Sequence, residues 1–226
     1  MTPAAAYRRL LSRFGPQGWW PLTPPGALRP RYHPGRFQTL GEKAALEVCL
    51  GAILTQNTAW TNVEKALESL HRAKALDAGR IRRMPSRRLE ALIRSSGFFV
   101  QKAKKLKAFL RAYSLDWLRT VSREKLLSVK GVGPETADSM LLYAAGRSIF
   151  VVDAYTRRIG ERVGWLKPSM KYDEVRAFFE EGLSASLRVY QEMHALLVEL
   201  AKRHCRKTDP LCAGCPLRKG CQHAQA

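Results

Sequence analysis

The stretch Leu127-Ser128-Val129-Lys130-Gly131-Val132-Gly133-Pro134-Glu135-Thr136-Ala137 decides how the rest of the chain is read. Ser122, Glu124 and the pair Leu126-Leu127 set out a short helix just before it. Pro134 stands at a first helical position, where a missing N–H costs nothing, and opens a helix that the pattern carries to about Ala145. Between the helices, Gly131 and Gly133 permit positive φ and a close approach of backbone to ligand. A turn of exposed N–H groups that runs into a helix N-terminus is an anion site. A helix, hairpin and helix of this kind grips a nucleic-acid phosphate without reading bases. Lys130, Gly131, Val132, Gly133 and Thr136 are therefore candidate DNA-contact positions.

The charge balance agrees. The 226 residues hold 39 Lys+Arg against 19 Asp+Glu, a net charge of +20, with a pI near 10.3. Neutralising phosphates releases counterions, so a folded chain this basic is suited to a polyanion. An arginine-rich composition of other origin gives the same number, so charge supports nucleic acid without deciding it. With 46% hydrophobic residues the chain can bury a core, in one large domain or two small ones. It holds no run of about 18 apolar residues and no leader-like apolar stretch in its first residues, so no membrane partner is expected and the cytoplasm is the expected compartment. Disulfides are rare there, and the five cysteines are read accordingly.

Outward from the hairpin the pattern is helical. Leu46, Leu50, Ile53 and Leu54 recur at helical spacing, as do Val63, Leu67 and Leu70. Further helices are expected from Ser86 to about Ser95, ended by Gly97, and from Gln101 to Tyr113, the latter with Lys102, Lys104, Lys105 and Lys107 on its charged face. Asp153–Val163, Tyr172–Leu183 and Arg188–His204 give three more. Residues 15–36, rich in Pro, Gly and Arg, read as ordered but irregular. Only Ser148–Val152 looks strand-like, and it is too short for a sheet, so the class is all-α.

Cys205, Cys212, Cys215 and Cys221 crowd one loop as C-x6-C-x2-C-x5-C. Four thiolates this close can surround one metal site, and the spacing alone leaves zinc and a [4Fe–4S] cluster both open. Arg206, Lys207, Arg218 and Lys219 in the same loop could anchor phosphates or simply be solvated. Cys49 lies on an apolar helical face and reads as a core thiol. The other landmark is Val151-Val152-Asp153, an acid straight after an apolar run. As a helix N-cap, Asp153 would satisfy orphan N–H groups. As a catalytic group it would stabilise positive charge or activate water. The roles are compatible.

The hairpin LSVKGVGPETA, then VVDAYTRRIGERVG, then the cysteine spacing resembles the endonuclease III branch of the helix-hairpin-helix DNA glycosylases, from about residue 40 onward. The resemblance implies a [4Fe–4S] cluster and two helical domains with a DNA groove between them. One would be a six-helix barrel over 37–147; the other would combine 1–36 with 148–226. It implies a protein of prokaryotic type that acts as a monomer at the nucleoid on double-stranded DNA carrying damaged bases. The target nucleotide would be flipped out, because the glycosidic bond is inaccessible within the stack. Asp153 would be the essential acid, stabilising the oxocarbenium-like sugar and positioning or deprotonating water. Gln56 falls where the family fills the gap left by the flipped base.

One departure bears on the chemistry. Strand-cleaving members carry a nucleophilic lysine eighteen residues before the acid; here that position is Glu135. A carboxylate cannot form an imine. Base removal by water, leaving an abasic site in an intact strand, is therefore expected, with Lys130 a minor substitute. LTQNTAW over 54–60, GFFVQKAK over 97–104 and Trp19-Trp20-Pro21 are similar to the 3-methyladenine glycosylases of this branch. An indole face suits a cationic alkylated purine, so Trp19 and Trp20 are candidates for the base pocket, with core packing as the rival reading. Leu46 stands where a second pocket aromatic is expected. The alternatives are a thymine- or uracil-mismatch glycosylase, a bifunctional oxidised-pyrimidine glycosylase/lyase, and a non-catalytic binder of damaged DNA. Adenine-mismatch activity is disfavoured.

Overall fold

The computed structural model describes residues 1–37 and 39–225. Twelve α-helices account for most of the described chain: α1 (Pro3–Phe14), α2 (Glu42–Leu54), α3 (Trp60–Arg72), α4 (Ala78–Arg83), α5 (Ser86–Leu92), α6 (Phe99–Ala112), α7 (Leu115–Thr120), α8 (Arg123–Leu127), α9 (Pro134–Ser139), α10 (Ala154–Val163), α11 (Tyr172–Gly182) and α12 (Leu187–Arg203). The only extended pairing among the described residues is a single antiparallel bridge between Leu22 and Arg31. The class is all-α.

The chain divides into two compact units. One holds Trp20–His33 and Gln38–Arg147, and α2 is its centre. Every residue of α2 from Ala45 to Leu54 is buried, as expected of a helix that is apolar nearly all round. Leu46, in place of the expected aromatic, is part of this core. The other unit holds Met1–Trp19, Pro34–Phe37 and Ser148–Ala226. Its long helix α12 buries Met193, Leu196, Leu197 and Leu200, and Phe150 stacks on Phe179 at 4.6 Å. The N-terminal segment is thus shared. Trp20–His33 belongs with the hairpin-bearing unit, tied there by Thr23, whose N–H and hydroxyl both donate to the buried Glu47 carboxylate at 3.0 and 2.7 Å.

Several elements depart from the sequence expectation. α1 was not foreseen, although Thr2 caps it by accepting from Ala5 N–H and Pro3 occupies its first position. The helix opened by Pro134 does not run uniformly to Ala145: α9 passes after Ser139 into a π-helical turn, Met140–Ala144. Ser148–Val152 is extended but joins no ladder. Its backbone donors find side chains instead, Phe150 N–H the Glu180 carboxylate and Val152 N–H the Tyr172 hydroxyl. The buried end of that run, Phe150 to Val152, delivers Asp153 to the start of α10.

Lys102 also departs from expectation. It is not on the solvated face of α6 but only 2% exposed. Its ammonium donates to Leu54 O at 2.7 Å and Ser96 O at 2.6 Å, closing the C-terminal end of α2. Burial, with a smaller contribution from Lys105, lowers its pKa to about 8.

Candidate active site and nucleic-acid interface

The hairpin forms as expected, with one difference. Val129 N–H donates to Leu126 O and Val132 N–H to Val129 O, so α8 winds into a tight turn. Gly131 takes φ +91°, in the left-handed region where a side chain is strained. Gly133 is instead extended, φ −92° and ψ 177°, as the N-cap of α9, and open space lies beyond its Cα. Val132 is buried and anchors the turn. The two helices are clamped by Arg123, which donates through Nε and Nη2 to the two oxygens of fully buried Asp138, at 2.6 and 3.0 Å. Bidentate geometry of this kind fixes direction as well as distance.

Gln56, just past the end of α2, reaches the hairpin. Its amide donates to Gly131 O at 3.1 Å and Thr136 Oγ1 at 2.9 Å, and its carbonyl oxygen accepts from Lys105 Nζ at 2.5 Å. In this conformation the side chain expected to fill the gap of a flipped base is held against the hairpin. Lys130 is exposed at the turn, and Glu135 is exposed in the first turn of α9.

In the other unit, Asp153 is both cap and candidate catalyst. Its Oδ1 accepts from Thr156 N–H at 2.7 Å and Thr156 Oγ1 at 2.8 Å. Its Oδ2 faces Nε2 of His194, a buried residue of α12, at 3.6 Å. Burial pushes the Asp153 carboxyl up, but His194 and the two Thr156 hydrogen bonds outweigh it and hold the group below its ordinary range. A carboxylate kept ionised and 13% exposed is able to stabilise a developing cation or orient water.

The same helix is braced to the cysteine loop. From α10, Arg158 Nε donates to Cys205 O at 2.9 Å, and Arg162 donates to Cys205 Sγ at 3.4 Å, Arg206 O at 2.6 Å and Lys207 O at 3.0 Å. Cys221 Sγ donates back to Arg162 O at 3.3 Å. Among the described residues no group of three or more His, Cys, Asp or Glu is drawn together as ligands of one ion. The donor set nonetheless fits a thiolate-bound group: burial, then Cys205, Cys221 and Cys212, raise the pKa of Cys215. Cys215 thus lies within the field of the other three sulfurs, and a bound iron cluster, which takes thiolate ligands, would favour its ionised form.

The tryptophans do not share an environment. Trp20 is 5% exposed, edge-on to Trp60 at 5.4 Å and tilted on Tyr143 at 5.5 Å. Trp19, in the other unit, carries the Lys202 ammonium over its ring at 5.6 Å. Core packing, the rival reading, describes Trp20 here.

Phe98, part of the GFFVQKAK stretch but given no role of its own there, is 70% exposed and held at φ +46° as the N-cap of α6. A large aromatic at once exposed and strained points to function. Its signal in the sequence is the pair Phe98-Phe99, of which only one can face the core of an amphipathic helix.

An all-α scaffold with a clamped hairpin, a capped ionised acid and a four-cysteine loop defines a helix-hairpin-helix DNA-repair protein. Residues 50–185 match the family described as HhH-GPD superfamily base excision DNA repair protein, and the chain belongs to it. A protein of Methanocaldococcus jannaschii named as a candidate DNA repair glycosylase is 40% identical over 226 residues, covering 95% of this chain and 93% of its own. Endonuclease III of Thermotoga maritima is 28% identical over 186 residues, 80% of this chain and 84% of its own. Among solved structures, the H. pylori 3-methyladenine DNA glycosylase bound to 1,N6-ethenoadenine is 29% identical with a TM-score of 0.71, over 90% of this chain and 98% of that one. The chain is an endonuclease III-like DNA glycosylase of base excision repair and its partner is DNA.

Proposed function

We propose that this glycosylase is monofunctional and removes alkylated purines, such as 3-methyladenine or 7-methylguanine, by attack of water. The observation that carries the reading is the pair of acids: Glu135 at the exposed first turn after the hairpin, where the strand-cleaving relatives need an amine, and Asp153 held ionised on α10. The hairpin residues Lys130, Gly131, Val132, Gly133 and Thr136 bind duplex phosphate. Phe98 and Gln56 enter the stack where the damaged nucleotide leaves it; for Gln56 this requires release from Gly131 and Thr136.

Asp153 stabilises the oxocarbenium-like sugar as the base departs. Thr156 fixes one carboxylate oxygen, so the other faces the reacting carbon or its water, and His194 beside it maintains the negative charge. A cationic alkylpurine leaves readily, so a single acid suffices. The similarity to a 3-methyladenine glycosylase over nearly the whole of both chains supports this substrate class. Trp19 supports it too: its ring already attracts one cation, Lys202, and could exchange it for a cationic base. Cys205, Cys212, Cys215 and Cys221 would hold a [4Fe–4S] cluster, which when bound cross-links the loop that braces α10.

The test is excision from duplexes carrying single lesions, with borohydride present in a parallel reaction. Free methylated purine and an alkali-labile, otherwise intact strand are expected. A trapped covalent adduct would instead mark a lyase, and binding with no base release from any lesion would mark a non-catalytic binder.

A further inference from the structure

The four lysines of α6 have different fates. Lys102 spends its charge on two carbonyls in the interior, Lys107 donates to Met84 O at 2.5 Å, and Lys104 is exposed. Lys105 is half-buried, and its stem lies on the hairpin. A Cβ added at Gly131 would come within 2.3 Å of Lys105 Cγ and 2.8 Å of its Cδ. Glycine at 131 thus leaves the room that this side chain fills. The ammonium donates to Gln56 Oε1, and Gln56 passes the connection on to Gly131 O and Thr136 Oγ1.

Among the described residues no carboxylate pairs with Lys105. Partial burial of an ammonium is unfavourable unless something compensates it, and a neutral amide oxygen uses one of its three N–H donors. This cation also lies close enough to Lys102 to depress the ionisation of its neighbour. A charge built in against that opposition, beside a turn shaped for anions, is matched to an anion that arrives from outside. The hairpin turn offers neutral N–H groups and, at its exposed tip, Lys130; Lys105 adds a second cation from the neighbouring helix, beside Gly131.

We propose that Lys105 is a phosphate ligand of the DNA, completing the hairpin's anion site from the neighbouring helix. Its second task is positional: the bond to Gln56 keeps that side chain against the hairpin until phosphate competes for the ammonium. The proposal rests on the reading that this chain grips duplex DNA through the hairpin.

The experiment measures Kd against KCl concentration for a duplex bearing an uncleavable abasic-site analogue, using the full chain and its Lys105→Met and Lys105→Arg variants. Each phosphate contact contributes about 0.9 to the slope of log Kd against log salt. Lys105→Met is expected to lower that slope by about this amount and to weaken binding roughly 10-fold at low salt. Lys105→Arg is expected to retain the slope. Weakened binding with an unchanged slope in Lys105→Met would assign Lys105 to packing and overturn the proposal. If Lys105→Met fails to fold, Lys105→Gln, which keeps a polar contact to Gln56 without the charge, carries the same prediction. The two readings fail separately. If the natural chain binds and excises but the slope does not depend on Lys105, only the ligand assignment falls. If the natural chain shows no salt-dependent duplex binding, the hairpin reading itself falls.

Discussion

At Asp153 one side chain does two jobs with two oxygens. Oδ1 is taken up by Thr156, and Oδ2 is left facing His194. Asp153→Asn keeps an acceptor for the cap and removes the charge. Base release is expected to fall by at least ~10²-fold, while DNA affinity changes little and α10 keeps its cap, since Asn caps about as well as Asp. The pH dependence has a definite sign. The folded carboxyl ionises below its unfolded value, so it stabilises the fold above the unfolded pKa and loses that contribution as pH falls through the folded one. The stability difference between the natural chain and Asp153→Asn should therefore shrink on acidification below about pH 4. Lys102 behaves oppositely. With its folded pKa near 8 and an ordinary value of 10.5, the unfolded state binds more protons between the two, and stability gains from Lys102 deprotonation as pH rises through that window. Chemical denaturation of the natural chain and Lys102→Met across pH 8 to 10.5 checks it. The strained φ of Phe98 gives a third prediction: Phe98→Gly should raise stability by up to about 1 kcal/mol while slowing base release, a trade that marks strain kept for function.

At the scale of elements, the hairpin was legible because its signals are local: two glycines, a proline and flanking helical patterns. α10 and its acid were legible for the same reason, an apolar run followed by a capping residue. What escaped was set by tertiary partners. Lys102 reads as solvated by spacing, and only the juxtaposition of Leu54 O and Ser96 O makes its burial possible. The π turn after Ser139 and the short helices α4 and α7 depend on packing and caps that periodicity does not reveal. The Arg123–Asp138 clamp is likewise a long-range fact about two residues that look ordinary in sequence. Arg123→Met takes the bidentate partner from a fully buried carboxylate, so it should destabilise the protein by about 3–5 kcal/mol and weaken duplex binding, as measured by denaturant titration and Kd. Trp20 teaches the reverse lesson: the WWP stretch suggested a pocket, but a ring 5% exposed between Trp60 and Tyr143 is packing first.

Across the whole molecule, the +20 charge, the hairpin and the cysteine loop belong to one reading, in which the loop stiffens the helix that carries the acid. Arg158 and Arg162 join that loop to α10 through backbone carbonyls of Cys205, Arg206 and Lys207. Cys212→Ser is therefore expected to lower bound iron, measured by absorbance and metal analysis, and to lower the melting temperature together with it. Single-turnover excision of a methylated purine from duplex DNA, followed with and without alkali, tests monofunctional base removal by Asp153. Release of the free base, a strand that breaks only on alkaline treatment, and loss of release in Asp153→Asn are expected. Strand cleavage without alkali, or base release undiminished in Asp153→Asn, would contradict it.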